Sequence, residues 1–318
     1  MSRPISEAAA IHARGLVKDY GHGRGIFGVD LQVARGEVLG FLGPNGAGKT
    51  VTMRCLMGFV RPRRGVAEIL GLDCYRDRPS IQARLGYLPG EASCMREMTA
   101  GSFLRLMADM RGLTDRVRMT ELVDRFELDL GARVGRMSKG NRQKVAIVSA
   151  FMARPDVLLL DEPTSGLDPL MQERFVELVA EERDRGAAIL LSSHIFEEVG
   201  RVCDRVAFIR KGRVVLVDTM EGVRARQGRG YRIEFSRASE RARWFASHGG
   251  AEGAAEGSAV DLPRVVDVNG LIRDLAGYDV SSVSSRERTL EELFLDLYEG
   301  PGGSAGRSLE VGHDDAAF

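Results

Sequence analysis

The stretch Val38-Leu39-Gly40-Phe41-Leu42-Gly43-Pro44-Asn45-Gly46-Ala47-Gly48-Lys49-Thr50 joins a continuous apolar run to a glycine-rich turn that ends in Lys-Thr. Five apolar residues without alternation suit a strand buried on both faces of a parallel sheet. Gly43 and Gly48 bracket four residues and are followed by Lys49-Thr50, the pattern of a phosphate-binding loop. Glycines let backbone N–H groups converge on phosphate oxygens at a helix N-terminus, where the helix dipole favours anions. In that setting Lys49 meets the β- and γ-phosphates as a point charge, and the Thr50 hydroxyl is placed for Mg²⁺.

Residues 157–160 and 187–191 are further continuous apolar runs, and a helical pattern over 171–185 lies between them. This alternation predicts a doubly wound α/β domain. Residues 13–18 and 29–33 are short and half polar, which predicts an antiparallel side sheet. Between about 98 and 151 the strands stop. Phe103, Leu104, Leu106 and Met107, then Leu122, Val123 and Phe126, recur at helical spacing and predict a helical insertion. Strands return at 206–209 and 214–217, joined by a Lys211-Gly212 turn.

Asp161 and Glu162 emerge at the carboxyl end of the 157–160 strand, the edge at which such sheets bind ligands. Asp161 can hold Mg²⁺ through water, and Glu162 can orient or deprotonate a water attacking the γ-phosphate. Ser138-Lys139-Gly140-Asn141 precedes a helix over 142–151, making a second anion-binding helix end; by itself the segment also reads as a plain helix cap. His194 follows the 187–191 strand, where a phosphate-facing role is open to it, although a lone histidine is more often structural. Tyr20 is placed to stack on a purine or to serve as a surface aromatic beside Gly21.

The composition shifts near residues 227–230. Beyond it the patterns run strand (231–235), helix (240–248), strand (259–262), strand (264–268), helix (270–275), strand (279–284), a ferredoxin-like α+β order. A last helix is expected at 290–298, and a disordered tail at 299–318. The expected domains are therefore 10–226, 230–298 as an accessory module, and the tail.

Of the 318 residues, 45 are Lys or Arg and 45 are Asp or Glu, so the formal charge is zero, which argues against a general polyanion binder and for no nucleic-acid partner. No 18-residue apolar stretch is present and the first residues lack a signal-peptide pattern. Cys55, Cys74, Cys94 and Cys203 are far apart with no CxxC pair, as expected of reduced thiols. Only five of the 45 basic residues are lysines, Lys49 and Lys139 among them.

Taken together, residues 13–217 resemble the nucleotide-binding subunit of an ATP-binding cassette transporter. Gly43 to Thr50 (Gly43, Pro44, Asn45, Gly46, Ala47, Gly48, Lys49, Thr50) looks like the Walker A loop, and 157–162 like Walker B. Thr164-Ser165-Gly166-Leu167-Asp168 is similar to the D-loop, His194 to the switch histidine and Tyr20 to the adenine-stacking aromatic. Met137-Ser138-Lys139-Gly140-Asn141 stands at the signature, with Lys139 replacing a glycine of the usual Leu-Ser-Gly-Gly-Gln. In Leu88-Pro89-Gly90-Glu91, Gly90 occupies the usual glutamine position, so Glu91 or water is left to substitute. The similarity is greatest to ABC-2 export subunits, including drug and antibiotic exporters, and Leu290-Glu291-Glu292-Leu293-Phe294 is similar to their ending.

The resemblance implies a P-loop ABC ATPase fold and ATP with Mg²⁺ as ligands. Thr50 and Asp161 would serve the metal, and Glu162 and His194 the hydrolysis. Tyr20, the Walker A residues, Ser138, Gly140 and Asp168 would bind nucleotide across a head-to-tail pair of subunits. It further implies a separate transmembrane permease and a peripheral position on the cytoplasmic face of the membrane. An importer subunit, or a soluble cassette acting on ribosomes or DNA, is the alternative.

Overall fold

The computed structural model describes residues 9–91, 95–193, 196–227, 229–248, 257–265 and 267–287. Contacts divide the chain into two compact units, Met1–Met220 and Glu221–Phe318.

The first unit opens with β1 (Ala9–Asp19) and β2 (Gly25–Ala34), which pair antiparallel. Next come β3 (Val38–Leu42), α1 (Lys49–Leu56), β4 (Arg64–Ile69), β5 (Leu72–Asp73), α2 (Arg78–Gln82) and β6 (Leu85–Leu88). The helical region holds α3 (Ala100–Met110), α4 (Val117–Arg125) and α5 (Lys139–Phe151). Then follow β7 (Val157–Asp161), α6 (Pro169–Asp184), β8 (Ala188–Ser193), α7 (Phe196–Val202), β9 (Arg205–Arg210) and β10 (Arg213–Thr219).

Two sheets result. The side sheet has the order β2-β1-β4-β5 and is antiparallel throughout. The central sheet has the order β10-β9-β3-β8-β7-β6; its strands run parallel except β10, which closes the edge as a hairpin with β9. Every residue of β3, β7 and β8 is buried. That is why these runs are continuous and not alternating: helices cover both faces of a parallel sheet. In the β9–β10 turn Lys211 and Gly212 both have positive φ, at 46° and 73°, the primed geometry that matches strand twist in a two-residue hairpin.

Arginines hold the helical region to the core. Arg118 on α4 donates to Glu182 on α6 at 3.0 Å, and Arg125 pairs with Glu181 at 2.7 Å. Glu182 also accepts from Arg185 at 2.7 Å, so this buried carboxylate is bonded on both oxygens. Cys55, Cys74 and Cys203 are buried free thiols. Burial pushes Cys55 up to about 11 and Cys74, helped by Asp73, up to about 12. Cys94 lies outside the described residues. No helix among the described residues is long and apolar enough to cross a membrane.

The second unit contains α8 (Met220–Gln227, its first residue shared with the first unit), β11 (Arg229–Phe235), α9 (Ala238–Ser247), β12 (Ala259–Val265), α10 (Val268–Leu275) and β13 (Val280–Glu287). Its antiparallel sheet has the order β12-β11-β13. Tyr231, Ile233 and Phe235 cluster with Trp244, Leu271 and Leu275, while Arg232 and Glu234 alternate outward.

Here the ferredoxin-like expectation is corrected. The two strands expected at 259–262 and 264–268 are one strand, β12, so the described residues hold three strands and not four. Pro263 reads as a break between strands. On an edge strand, however, a residue without an N–H is tolerated, and the chain stays extended through a register irregularity between the Tyr231–Leu262 and Arg229–Val265 pairs. The helix expected at 290–298 and the tail at 299–318 lie outside the described residues.

Candidate functional site

The loop from Gly43 to Gly48 links β3 to α1, as the sequence pattern requires. Gly46 and Gly48 take positive φ, at 79° and 114°, which an L side chain adopts only with strain. Gly48 is the N-cap of α1 and offers no side-chain hydrogen bond, so the first N–H groups of the helix are left for another acceptor. Two carbonyls of the loop are engaged within the chain: that of Gly43 accepts from Lys49 Nζ at 2.5 Å, and that of Ala47 accepts from the Gly212 N–H at 2.8 Å.

A cleft of about 970 Å³ opens above this loop. Pro44, Asn45, Gly46, Gly48, Lys49 and Thr50 line it, together with Tyr20 on one side and Asp161 and Glu162 on another. The Lys49 side chain is only 6% exposed, and its ammonium stands 3.3 Å from Glu162 Oε1. Thr50 Oγ1 donates to Asp161 Oδ2 at 2.9 Å, while Ser192 on β8 donates to the other Asp161 oxygen. Glu162 takes a left-handed backbone, φ 49°, uncommon for a residue with a side chain, and its N–H donates to the Ser192 carbonyl at 3.1 Å.

This donor set fits a nucleoside triphosphate with Mg²⁺. An uncapped helix N-terminus and a buried ammonium match phosphate oxygens. Thr50 and Asp161 offer two hard oxygens on one side, and Mg²⁺ typically takes one or two protein ligands beside phosphate oxygens and water.

Other expected residues fall elsewhere within the chain. The Ser138 hydroxyl caps α5, accepting from the Asn141 N–H at 3.2 Å. Gly140 packs on Gly166, and the Asp168 carboxylate caps α6 through the Met171 N–H at 3.0 Å. None of these three lines the cleft of its own chain. His194 lies outside the described residues. Gly90 and Glu91 do line the cleft. A Cβ on Gly90 would sit 3.4 Å from the Asp161 carbonyl and 3.7 Å from the Glu162 Cβ, near ordinary contact.

Sequence reasoning missed Arg24, Arg54 and Tyr87 as lining residues. Arg54 carried a usable signal, since it follows Thr50 by one helical turn on α1. Tyr87 carried none; burial, with the Asp161 carboxylate adding to it, raises its phenol above the ordinary value.

The ABC transporter family model matches residues 26–165. The daunorubicin resistance ATP-binding protein DrrA3 of Streptomyces coeruleorubidus is 34% identical over 311 residues, spanning 91% of this chain and 95% of that protein. A solved ATP-binding subunit of an ABC transporter superposes with a TM-score of 0.65 at 33% identity, covering 68% of this chain and 92% of the other. A dimeric bacterial ABC transporter cassette, 21% identical, shares the fold with a TM-score of 0.61 over 66% of this chain and 98% of its own. Phosphate loop, carboxylate strand end and full-length relatives lead to one conclusion: the chain belongs to the ABC transporter family, as an ATP-binding and ATP-hydrolysing subunit of the ABC-2 exporter type.

Proposed function

We propose that two copies of this chain close head-to-tail on two ATP molecules and drive export of a drug-like or antibiotic compound through a separate permease. The observation that carries the reading is the buried Lys49 ammonium at the uncapped start of α1, beside the Thr50–Asp161 pair. Lys49 holds the phosphates as a charge. An incoming γ-phosphate competes with Glu162 for that ammonium and so frees the Glu162 carboxylate to take a proton from the attacking water. Thr50 and Asp161 would hold Mg²⁺, which when bound neutralises charge on the β- and γ-phosphates.

The pairing accounts for Ser138 and Gly140 lying off the chain's own cleft: in a head-to-tail pair they face the nucleotide of the other copy. Asp168 and His194 then belong to the same composite site, and Tyr20, 48% exposed at the cleft edge, stacks on the base. Residues 10–226 are the ATPase domain, and the second unit is an accessory module that braces the pair. The chain works peripherally, on the cytoplasmic face of the membrane. Export of a drug-like compound is favoured by the daunorubicin resistance relative, whose similarity runs over 91% of this chain.

Glu162→Gln tests the reading. Hydrolysis is expected to fall by the roughly 10²- to 10⁴-fold typical of losing a general base, with ATP still bound. Size-exclusion chromatography with Mg-ATP should then show a dimer. A variant that hydrolyses ATP at the wild-type rate removes Glu162 from the reaction, and one that binds ATP but stays monomeric with and without the permease removes the head-to-tail pair.

A further inference from the structure

The start of α5 is fastened to the turn that follows β7, in the same chain. Lys139 Nζ donates to Ser165 Oγ at 2.6 Å. One residue on, the backbones touch: a Cβ on Gly140 would lie 2.4 Å from the Gly166 carbonyl, and Gly166 itself needs a φ of 84°. One helical turn along, the buried Gln143 donates from Nε2 to the Pro163 carbonyl at 2.8 Å. Residues 139, 140 and 143 thus grip residues 163, 165 and 166.

The gripped turn carries Glu162. Its left-handed backbone, φ 49°, persists only where neighbours hold it. The Ser165 N–H donates to the Glu162 carbonyl at 3.2 Å, closing the turn. Lys139 therefore reaches Glu162 through two hydrogen bonds, while its own ammonium stays at the rim of the cleft that Glu162 faces.

We propose that Lys139 is a positioning residue for Glu162 within its own chain: by pinning Ser165 it fixes the turn, and with it the direction of the hydrolytic carboxylate. The proposal rests on the reading of Glu162 as that carboxylate. It gives the lysine at position 139 a role in cis, distinct from any contact with a nucleotide held by a second copy. A lysine suits the task because its ammonium is a compact, rotatable donor on a flexible stem.

The test is steady-state ATPase kinetics of Lys139→Ala, Lys139→Arg, Ser165→Ala and the Lys139→Ala/Ser165→Ala double variant, beside wild type and Glu162→Gln. Loss of a charge-assisted hydrogen bond that acts only on the carboxylate should lower kcat about tenfold and leave KM for ATP within about twofold. Ser165→Ala should match Lys139→Ala, the double variant should be no slower than either single one, and Lys139→Arg should restore most of the rate. Hydrogen exchange without nucleotide should quicken at residues 162–167 in Lys139→Ala, and not at 43–50.

A raised KM with unchanged kcat would mean that Lys139 touches phosphate, and the proposal falls. Additive losses in the double variant, or unchanged exchange and rate in Lys139→Ala, overturn it too. If Glu162→Gln is inactive while Lys139→Ala behaves as wild type, only the positioning role is lost. If Glu162→Gln is active, the reading of Glu162 falls first. Lys139 is exposed, so its variants are expected to fold; equal urea midpoints verify this.

Discussion

Thr50 Oγ1 donates to Asp161 Oδ2 at 2.9 Å across 111 positions of sequence. Thr50 lies in the first turn of α1, which follows β3, and Asp161 ends β7; β3 and β7 are not neighbours, and β8 between them contributes Ser192 to the same carboxylate. A helix start and a neighbouring strand end therefore converge on the aspartate that ends β7. Asp161→Asn keeps the size and removes the charge. The Mg²⁺ concentration needed for half-maximal ATP binding is expected to rise about 10- to 100-fold, with metal-free nucleotide binding little changed. Calorimetric titration of Mg²⁺ into the ATP-loaded chain measures this; an unchanged midpoint removes Asp161 from the metal site.

Lys49→Ala removes an ammonium that is 6% exposed and bonded to the loop that it serves. Loss of a charge-assisted phosphate contact is worth about 1.5–3 kcal/mol, so affinity for a fluorescent ATP analogue should fall at least about tenfold. Circular dichroism should show the fold retained. An analogue that binds the variant as tightly as wild type contradicts the loop assignment.

Gly90→Gln places a side chain where a Cβ meets only near-ordinary contacts with Asp161 and Glu162. Gly90 is not among the residues with positive φ, so no backbone strain follows. ATP binding should survive, with transport or turnover altered, because the new amide enters the cleft beside both carboxylates. Abolished binding would mean that the position requires glycine.

Asp156 accepts from Arg84 at 2.7 Å, a tie between the turn before β7 and the start of β6. The Arg84 hydrogen bond, aided by its charge and by Arg35 and Arg185, holds the Asp156 carboxyl below its ordinary value against a smaller opposing effect of burial. A lowered folded value means that the stabilisation is complete above the unfolded carboxylate value and is lost as pH falls through the folded one. With both groups partly exposed, Arg84→Ala should cost about 0.2–1 kcal/mol at neutral pH. The difference in urea midpoint between variant and wild type should vanish in acid; a difference that grows on acidification contradicts the assignment.

The local elements of the site are written in short stretches of sequence. Residues 38–50 specify a buried strand, a glycine turn and a helix start in consecutive order, and each step is a short-range constraint on backbone conformation or burial. The same holds for 157–162, and the Lys211-Gly212 turn was legible from a glycine set between two apolar runs, since glycine takes a positive φ without strain. Which distant groups meet depends on how the elements pack. Strand order put β8 between β3 and β7 and so brought Ser192 to Asp161, and no periodicity encodes strand order. The link from Lys139 to Ser165 and the entry of Arg24 and Tyr87 into the cleft arise the same way, from the packing of separate elements. Pro263 shows the converse: its local signal was a break, but on the outer strand of a three-stranded sheet the missing N–H is tolerated, and β12 continues past it through a register irregularity.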